Sequence, residues 1–168
     1  MRTVFSLLLI LVFSVNAQKA PFSIDALYKI KNVSDPQISP DGKRIAFVVT
    51  DYNLAEGKAN SDIYLMDSDG RNQKRMTTNP TSDHQPRWST DGKSLLFISD
   101  RGGSAQAWLL PADGGEARQI TDFYTGVQSA EWVPGKNQIV FSSFIFPECG
   151  ADNACNQEIL KDMQNGPL

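Results

Sequence analysis

A chain of 168 residues with a net charge of −3 at pH 7 and a sequence pI of about 5.1 has room for one ordinary domain. The mild acidity excludes the basic footprint of a nucleic-acid-binding protein. One His and two Cys exclude the usual zinc ligand sets.

The chain opens with Arg2 and an apolar run from Val4 to Val15 interrupted only by Ser6 and Ser14. Val15-Asn16-Ala17 supplies the −3 and −1 residues of a cleavage site, so residues 1–17 are predicted to be a secretory signal peptide removed before Gln18. The run is short for crossing a bilayer, and no membrane span is expected after cleavage. Cleavage takes the formal charge to −4, and no Cys follows the site to carry a lipid anchor. A periplasmic or secreted location is the expectation. Residues 18–32 form a lead-in, with a short helix from Phe22 to Ile30. Ser23 is a suitable N-cap, Asp25 suits the first turn, and Lys29 suits the last. Ile24, Leu27 and Tyr28 share a face predicted to plug one end of the sheet assembly.

Residues 33–143 read as a repeat. Ser39-Pro40-Asp41-Gly42-Lys43 separates two apolar/polar runs, the signature of a β-hairpin in which Gly42 takes positive φ and Asp41 tolerates it. Beyond the turn, Ile45, Phe47 and Val49 alternate with Ala46 and Val48, a strand covered on both faces. A polar loop from Asp51 to Ser61, a strand Asp62–Asp67, a turn at Asp69-Gly70 and a strand near Gln73–Thr77 complete the unit. The unit returns with Asp91-Gly92-Lys93, 50 residues after the first turn, then a strand Ala105–Leu110, a turn at Asp113-Gly114 and a strand Ala117–Thr121. A third copy, Ser129–Ser143, places Trp132 and Phe141 44 residues after Trp88 and Phe97.

Four short strands in a period of 40–50 residues is the pattern of a β-propeller blade. The predicted fold is all-β: a partial propeller of about two and a half four-stranded blades, at 33–77, 82–121 and 127–143, with a short N-terminal helix and a C-terminal helical tail. A propeller needs at least four blades to close, so the outer faces of the first and last blades are expected to be free. Phe47, Phe97, Trp88, Trp132 and Phe141 are the aromatic residues expected on them. Residues 144–168 leave the repeat as a loop and a helix over Cys155–Gln164, an insertion between blades. Cys149 and Cys155 are predicted to pair in an oxidising compartment, since their spacing is not Cys-x-x-Cys and no His lies nearby. Closing that loop stabilises by about 2.4 kcal/mol on the chain-entropy account.

The chemistry is sparse. No Gly-x-Ser-x-Gly elbow is present, and His84, the single His, sits ahead of a strand with no nucleophile or orienting group identifiable beside it. Asp41, Asp69, Asp91 and Asp113 could be read as a metal-binding array, but each stands where a turn already requires it. Asp100-Arg101-Gly102-Gly103 reads as an inter-strand turn with exposed charges. No catalytic residue, cofactor or metal site is predicted.

The repeats SPDGKRIAFVVT and STDGKSLLFISDRGGSAQAWLLPADGGEARQIT resemble the TolB-type periplasmic propellers. They also resemble the N-terminal propeller of the prolyl oligopeptidase family, in its dipeptidyl peptidase and acylaminoacyl-peptidase branch. The lead-in FSIDALYKIKNVSDPQISPDGKRIAF, the DRGG segment and the tail FPECGADNACNQEILKDMQNGP favour the peptidases. The resemblance implies a propeller that caps an α/β-hydrolase domain and restricts entry to short peptides. It implies a partner hydrolase domain carrying the Ser, Asp and His, with no counterpart in residues 1–168. The alternative is a non-catalytic, TolB-like module that binds a protein.

Overall fold

The computed structural model describes residues 23–166; the predicted leader, residues 1–17, lies outside the described residues. A five-residue helix α1 (Ile24–Tyr28) leads in, with the Ser23 hydroxyl accepting from the Ala26 N–H. The first sheet holds β1 (Asn32–Ile38), β2 (Arg44–Asn53), β3 (Lys58–Asp67) and β4 (Lys74–Arg75) in sequence order. The second holds β5 (Asp83–Trp88), β6 (Ser94–Ser99), β7 (Gln106–Pro111) and β8 (Arg118–Gln119) in the same order. A third, two-stranded sheet pairs β9 (Ser129–Trp132) with β10 (Ile139–Ser142). Every pairing is antiparallel, and helix α2 (Asn153–Asn165) closes the description. Two four-stranded blades and half of a third make a partial propeller.

Alternation on each strand separates two cores. Ala46, Ile63 and Leu65 of the first sheet pack against Trp88, Leu95, Phe97 and Leu110 of the second. The opposite face of the second sheet presents Leu96, Ile98 and Ala107 to Val127 and Ala130 of the third. Strand β6 is covered on both sides, which is why it reads as an unbroken apolar run. Gly126, with φ +81°, brings the start of the third sheet in close: a Cβ there would stand 3.3 Å from the Ala105 carbonyl.

Several expectations are corrected. Phe47, Trp88 and Phe97 are buried, at 4%, 9% and 0% exposure, and Phe141 is the exposed aromatic of the expected five. Trp88 and Phe97 lie inside the first core because their face of the second sheet is covered by the first sheet. Phe47 is covered by its own neighbours, stacking on Tyr64 at 5.8 Å. The polar segment 51–61 is mainly strand: β2 and β3 stay paired from Thr50↔Ser61 to Asn53↔Lys58, and only 54–57 turn, closed by Gly57 N–H to Leu54 O. Backbone pairing there needs no apolar face, so hydropathy hides it. Among the described residues α1 covers little: Ile24, Leu27 and Tyr28 are 71%, 51% and 39% exposed, and the short helix packs against β2.

The tail is tightly organised. Cys149 and Cys155 are joined, with Cα atoms 5.5 Å apart. Fully buried Asn156 accepts from the Phe146 N–H and donates to the carbonyls of Gly150 and Asp152. Asp152 caps α2 by accepting from the N–H groups of Ala154 and Cys155. The helix is anchored on the link between the second and third sheets: Asn153 accepts from Tyr124 N–H, donates to Asp122 O, and Lys161 stands 5.9 Å from the Tyr124 ring.

Candidate functional site

Antiparallel strands sort the connections into two ends. The recurring Asp-Gly turns all fall at one end. Gly42 and Gly92, at φ 71° and 67°, close their turns by donating to Ser39 O and Ser89 O. Asp41 is not left-handed as expected; its carboxylate accepts from the Ser39 hydroxyl at 2.6 Å and the Lys43 N–H at 3.1 Å. Asp91 does the same with Ser89 and Lys93. These bonds, the hydroxyl first, hold both carboxyls below the usual carboxylate range. Asp69 is likewise lowered by the Arg71 guanidinium, beside Gly70. Asp113, next to Gly114, meets Arg44 at 3.2 Å. Among the described residues no three His, Cys, Asp or Glu gather to hold a metal. Asp41, Asp69 and Asp91 are engaged in bonds within their own turns.

The other end carries everything that is not repeated: α1, the extended β2–β3 hairpin, the Asp100–Gly103 loop and the segment running into α2. Two ion pairs with buried carboxylates lie there. Asp83, with no exposed area, accepts from Arg101 Nη2 at 2.6 Å. Arg101 is not the exposed charge expected; its guanidinium lies 4.7 Å from the Trp108 ring and 5.3 Å from the Phe97 ring. Its Nε donates to the Ser99 hydroxyl. In the first sheet, Asp62 accepts from Arg75 at 2.6 Å and from Thr77. Burial raises the Asp62 carboxyl above its ordinary value despite Arg75. Gln106 and Thr121 repeat this device 44 residues later, with the Thr121 hydroxyl donating to Gln106.

A third charged feature ties the first strands of the three sheets together. β1 and β5 each carry a bulge in front of a proline, with Asp35 and Gln85 at φ 47° and 55° and a register shift after Ser34 and His84. Arg87 then bonds Asp35 at 2.9 Å on one side and Glu131 at 2.6 Å on the other. Burial works to lower the Arg87 guanidinium, and the Glu131 and Asp35 bonds overcome it and hold it above its ordinary value. The Trp88 indole donates to Gln37 O and the Trp132 indole to Arg87 O, the same contact one sheet on.

His84 lies on β5 opposite Ile98 and borders an open hollow of about 420 Å³ with Asp100 and Ser104. The Ser104 hydroxyl accepts from Gln106 Nε2. These side chains build walls and joints, and the described residues assemble no nucleophile with its base and orienter. Arg44 and Arg87 were missed because their partners lie 44–69 residues away, and Asp83 because its partner, Arg101, reads in sequence as the exposed charge of a turn 18 residues on. The paired Asp62/Thr77 and Gln106/Thr121 were visible as a second recurrence at the 44-residue step.

The geometry defines a class: a segment of a β-propeller whose sheets are stitched by recurrent turn, indole and arginine contacts. The chain belongs to the TolB beta propeller domain family (PD40), whose model matches residues 18–148. It is 36% identical over 123 residues to the peptidase YuxL of Bacillus subtilis, covering 73% of this chain and 19% of that protein. It is 32% identical over 116 residues to dipeptidyl-peptidase 5 of Porphyromonas gingivalis, covering 69% of this chain and 17% of that protein. The chain thus spans under a fifth of the length of these curated relatives. Among solved structures it is similar to a protein described as TolB from Agrobacterium tumefaciens, at 32% identity and TM-score 0.54, over 64% of this chain and 36% of that one. It is also similar to an acylaminoacyl peptidase bound to Z-Gly-Gly-Phe-chloromethyl ketone, at 25% identity and TM-score 0.53, over 63% of this chain and 16% of that one.

Proposed function

We propose that these residues are part of the propeller of an exported serine peptidase of the prolyl oligopeptidase family, of dipeptidyl- or acylaminoacyl-peptidase type. The observation that carries this reading is the identity of 36% and 32% to two peptidases of which this span makes up under a fifth. In this reading the propeller gates short peptides on their way to an α/β-hydrolase domain that supplies the Ser, Asp and His. The unrepeated loops and the α2 segment, gathered at one end of the blades, are the surface facing that domain. The leader directs the protein to the periplasm or medium, so the exported chain begins at Gln18. Residues 144–166 are an insertion after the opening strands of the third blade, locked by the Cys149–Cys155 bridge.

The test compares two proteins on dipeptidyl and acylaminoacyl reporter substrates. The 168-residue chain alone is inert, because nucleophile, base and oxyanion donors are missing together. The product of the open reading frame read past codon 168 hydrolyses them and is inactivated by a serine-directed fluorophosphonate. A full-length product that closes its propeller and stops, with no activity, refutes the peptidase reading. That result is the one expected of the second reading, a TolB-like protein-binding module, which the 32% identity to the Agrobacterium tumefaciens structure favours. N-terminal sequencing of exported protein that finds Met1 intact refutes the leader.

A further inference from the structure

The sheets repeat one packing arrangement with a single side chain changed. At the tight-turn end, Arg44 leaves the start of β2 and crosses to the second sheet. Its Nη2 donates to Gly92 O at 2.9 Å, and its Nη1 reaches Ala112 O at 3.3 Å and Asp113 at 3.2 Å. The guanidinium lies 5.0 Å from the centroid of the Trp88 ring. It has an aromatic floor and three acceptors, the surroundings that suit this flat cation.

One sheet further on, Ser94 follows Gly92-Lys93 where Arg44 follows Gly42-Lys43. A cleft of about 540 Å³ opens at that point, bordered by Ser94, Asp91, Leu109, Arg118, Trp132 and Lys136. At the 44-residue step, Leu109, Arg118, Trp132 and Lys136 are the counterparts of Leu65, Lys74, Trp88 and Gly92. The cleft is therefore the Arg44 position without its side chain, with the indole floor and the following turn in place. That turn is left-handed at Gly135 rather than at the match of Gly92, and among the described residues the two-stranded third sheet offers no counterpart of Ala112 or Asp113. Arg118 does not bar a second cation, since Lys74 already stands at the matching place beside Arg44, its Nζ close to Gly114. Asp91 adds a carboxylate to the cleft wall.

We propose that this cleft binds a guanidinium group, the arginine side chain of a peptide, laid on the Trp132 ring and donating to the Lys136 carbonyl. The site is independent of the peptidase reading. The test titrates L-argininamide into the 168-residue chain while its three indole N–H signals are followed by NMR. L-Citrullinamide, uncharged and nearly isosteric, is the control. Binding of one argininamide per chain with movement of the Trp132 signal is expected, with citrullinamide weaker by roughly tenfold or more. Ser94→Arg returns the side chain to the vacated place, so it abolishes the Trp132 response and raises the thermal midpoint. Arg44→Ser empties the first position, so two equivalents bind and the Trp88 signal moves as well. A Trp132 signal indifferent to argininamide, equal binding of citrullinamide, or a response undiminished in Ser94→Arg overturns the proposal. None of those three outcomes depends on whether Arg44→Ser folds.

Discussion

Arg101→Ala is expected to be the most damaging single change in the second sheet. Asp83 has no exposed area, and its Oδ2 depends on Arg101 Nη2 at 2.6 Å, while its Oδ1 has no hydrogen-bond partner. Removing the guanidinium strands a buried carboxylate, a loss of about 3–5 kcal/mol. It also uncovers the faces of Phe97 and Trp108, which adds about 1 kcal/mol. A loss of that size lowers the folded-to-unfolded ratio by about a thousandfold to ten-thousandfold, since about 1.4 kcal/mol is a factor of ten. Urea titration of the 168-residue chain followed by tryptophan fluorescence reads it. The double variant Asp83→Asn/Arg101→Ala separates the causes. If the stranded charge dominates, the double variant is more stable than Arg101→Ala alone, because a neutral amide replaces the carboxylate. A loss under about 1 kcal/mol in Arg101→Ala, or a double variant less stable than the single one, refutes the reasoning.

The indole contacts give a second expectation: Trp132→Phe costs about 1 kcal/mol for the lost bond to Arg87 O, and Trp88→Phe rather more, because Arg44 also rests on that ring. Thermal melts that leave both variants at the parental midpoint would dismiss the stitch. Acid unfolding should sense the turn aspartates. Their folded pKa values lie below the unfolded ones, so their contribution is present above pH ~4 and is lost as pH falls through the folded values. Asp41→Asn/Asp91→Asn flattens that limb of the stability curve. Asp62, raised by burial, acts in the opposite sense, its contribution falling as pH rises from ~4 through its folded value. Cys149→Ser/Cys155→Ser should free hydrogen exchange across 146–152 and leave the β6 amides protected; mass spectrometry showing two free thiols in exported protein would remove the bridge from the account. A last expectation concerns association. Val140 on the outer face of the half-blade, and Phe144 and Ile145 just after it, are 50–66% exposed, so light scattering should find self-association at high concentration, and a strict monomer would be the contrary result.

The blades were legible because their punctuation is chemical. Ser-x-Asp-Gly-Lys carries its turn in local bonds, and those bonds recur with the same partners in both full blades. The tail helix was legible over Cys155–Gln164 from its helix formers, while its start at Asn153, set by the bonds to Asp152, was not. What lay beyond the sequence was the assignment of faces. Phe47, Phe97 and Phe141 occupy matching strand positions, yet only the third is exposed, because burial there depends on whether another sheet or a local partner covers it. The bulges before Pro36 and Pro86 were hidden as well, and with them the Asp35–Arg87–Glu131 bridge they aim.

The indole stitch also gives the array a direction. Each blade reaches backward: Trp88 takes the Gln37 carbonyl, Trp132 takes the Arg87 carbonyl, and the counterpart acceptor in the half-blade is the carbonyl of Glu131. At the leading edge the matching position is Ile38, 68% exposed, with no N–H to offer in its side chain. Copies stacked head to tail would bring Ile38 against Glu131 and leave that carbonyl without an indole donor. A joint between two copies would lack the indole bond that ties each described sheet to the next, which disfavours the open filaments that head-to-tail contacts otherwise invite.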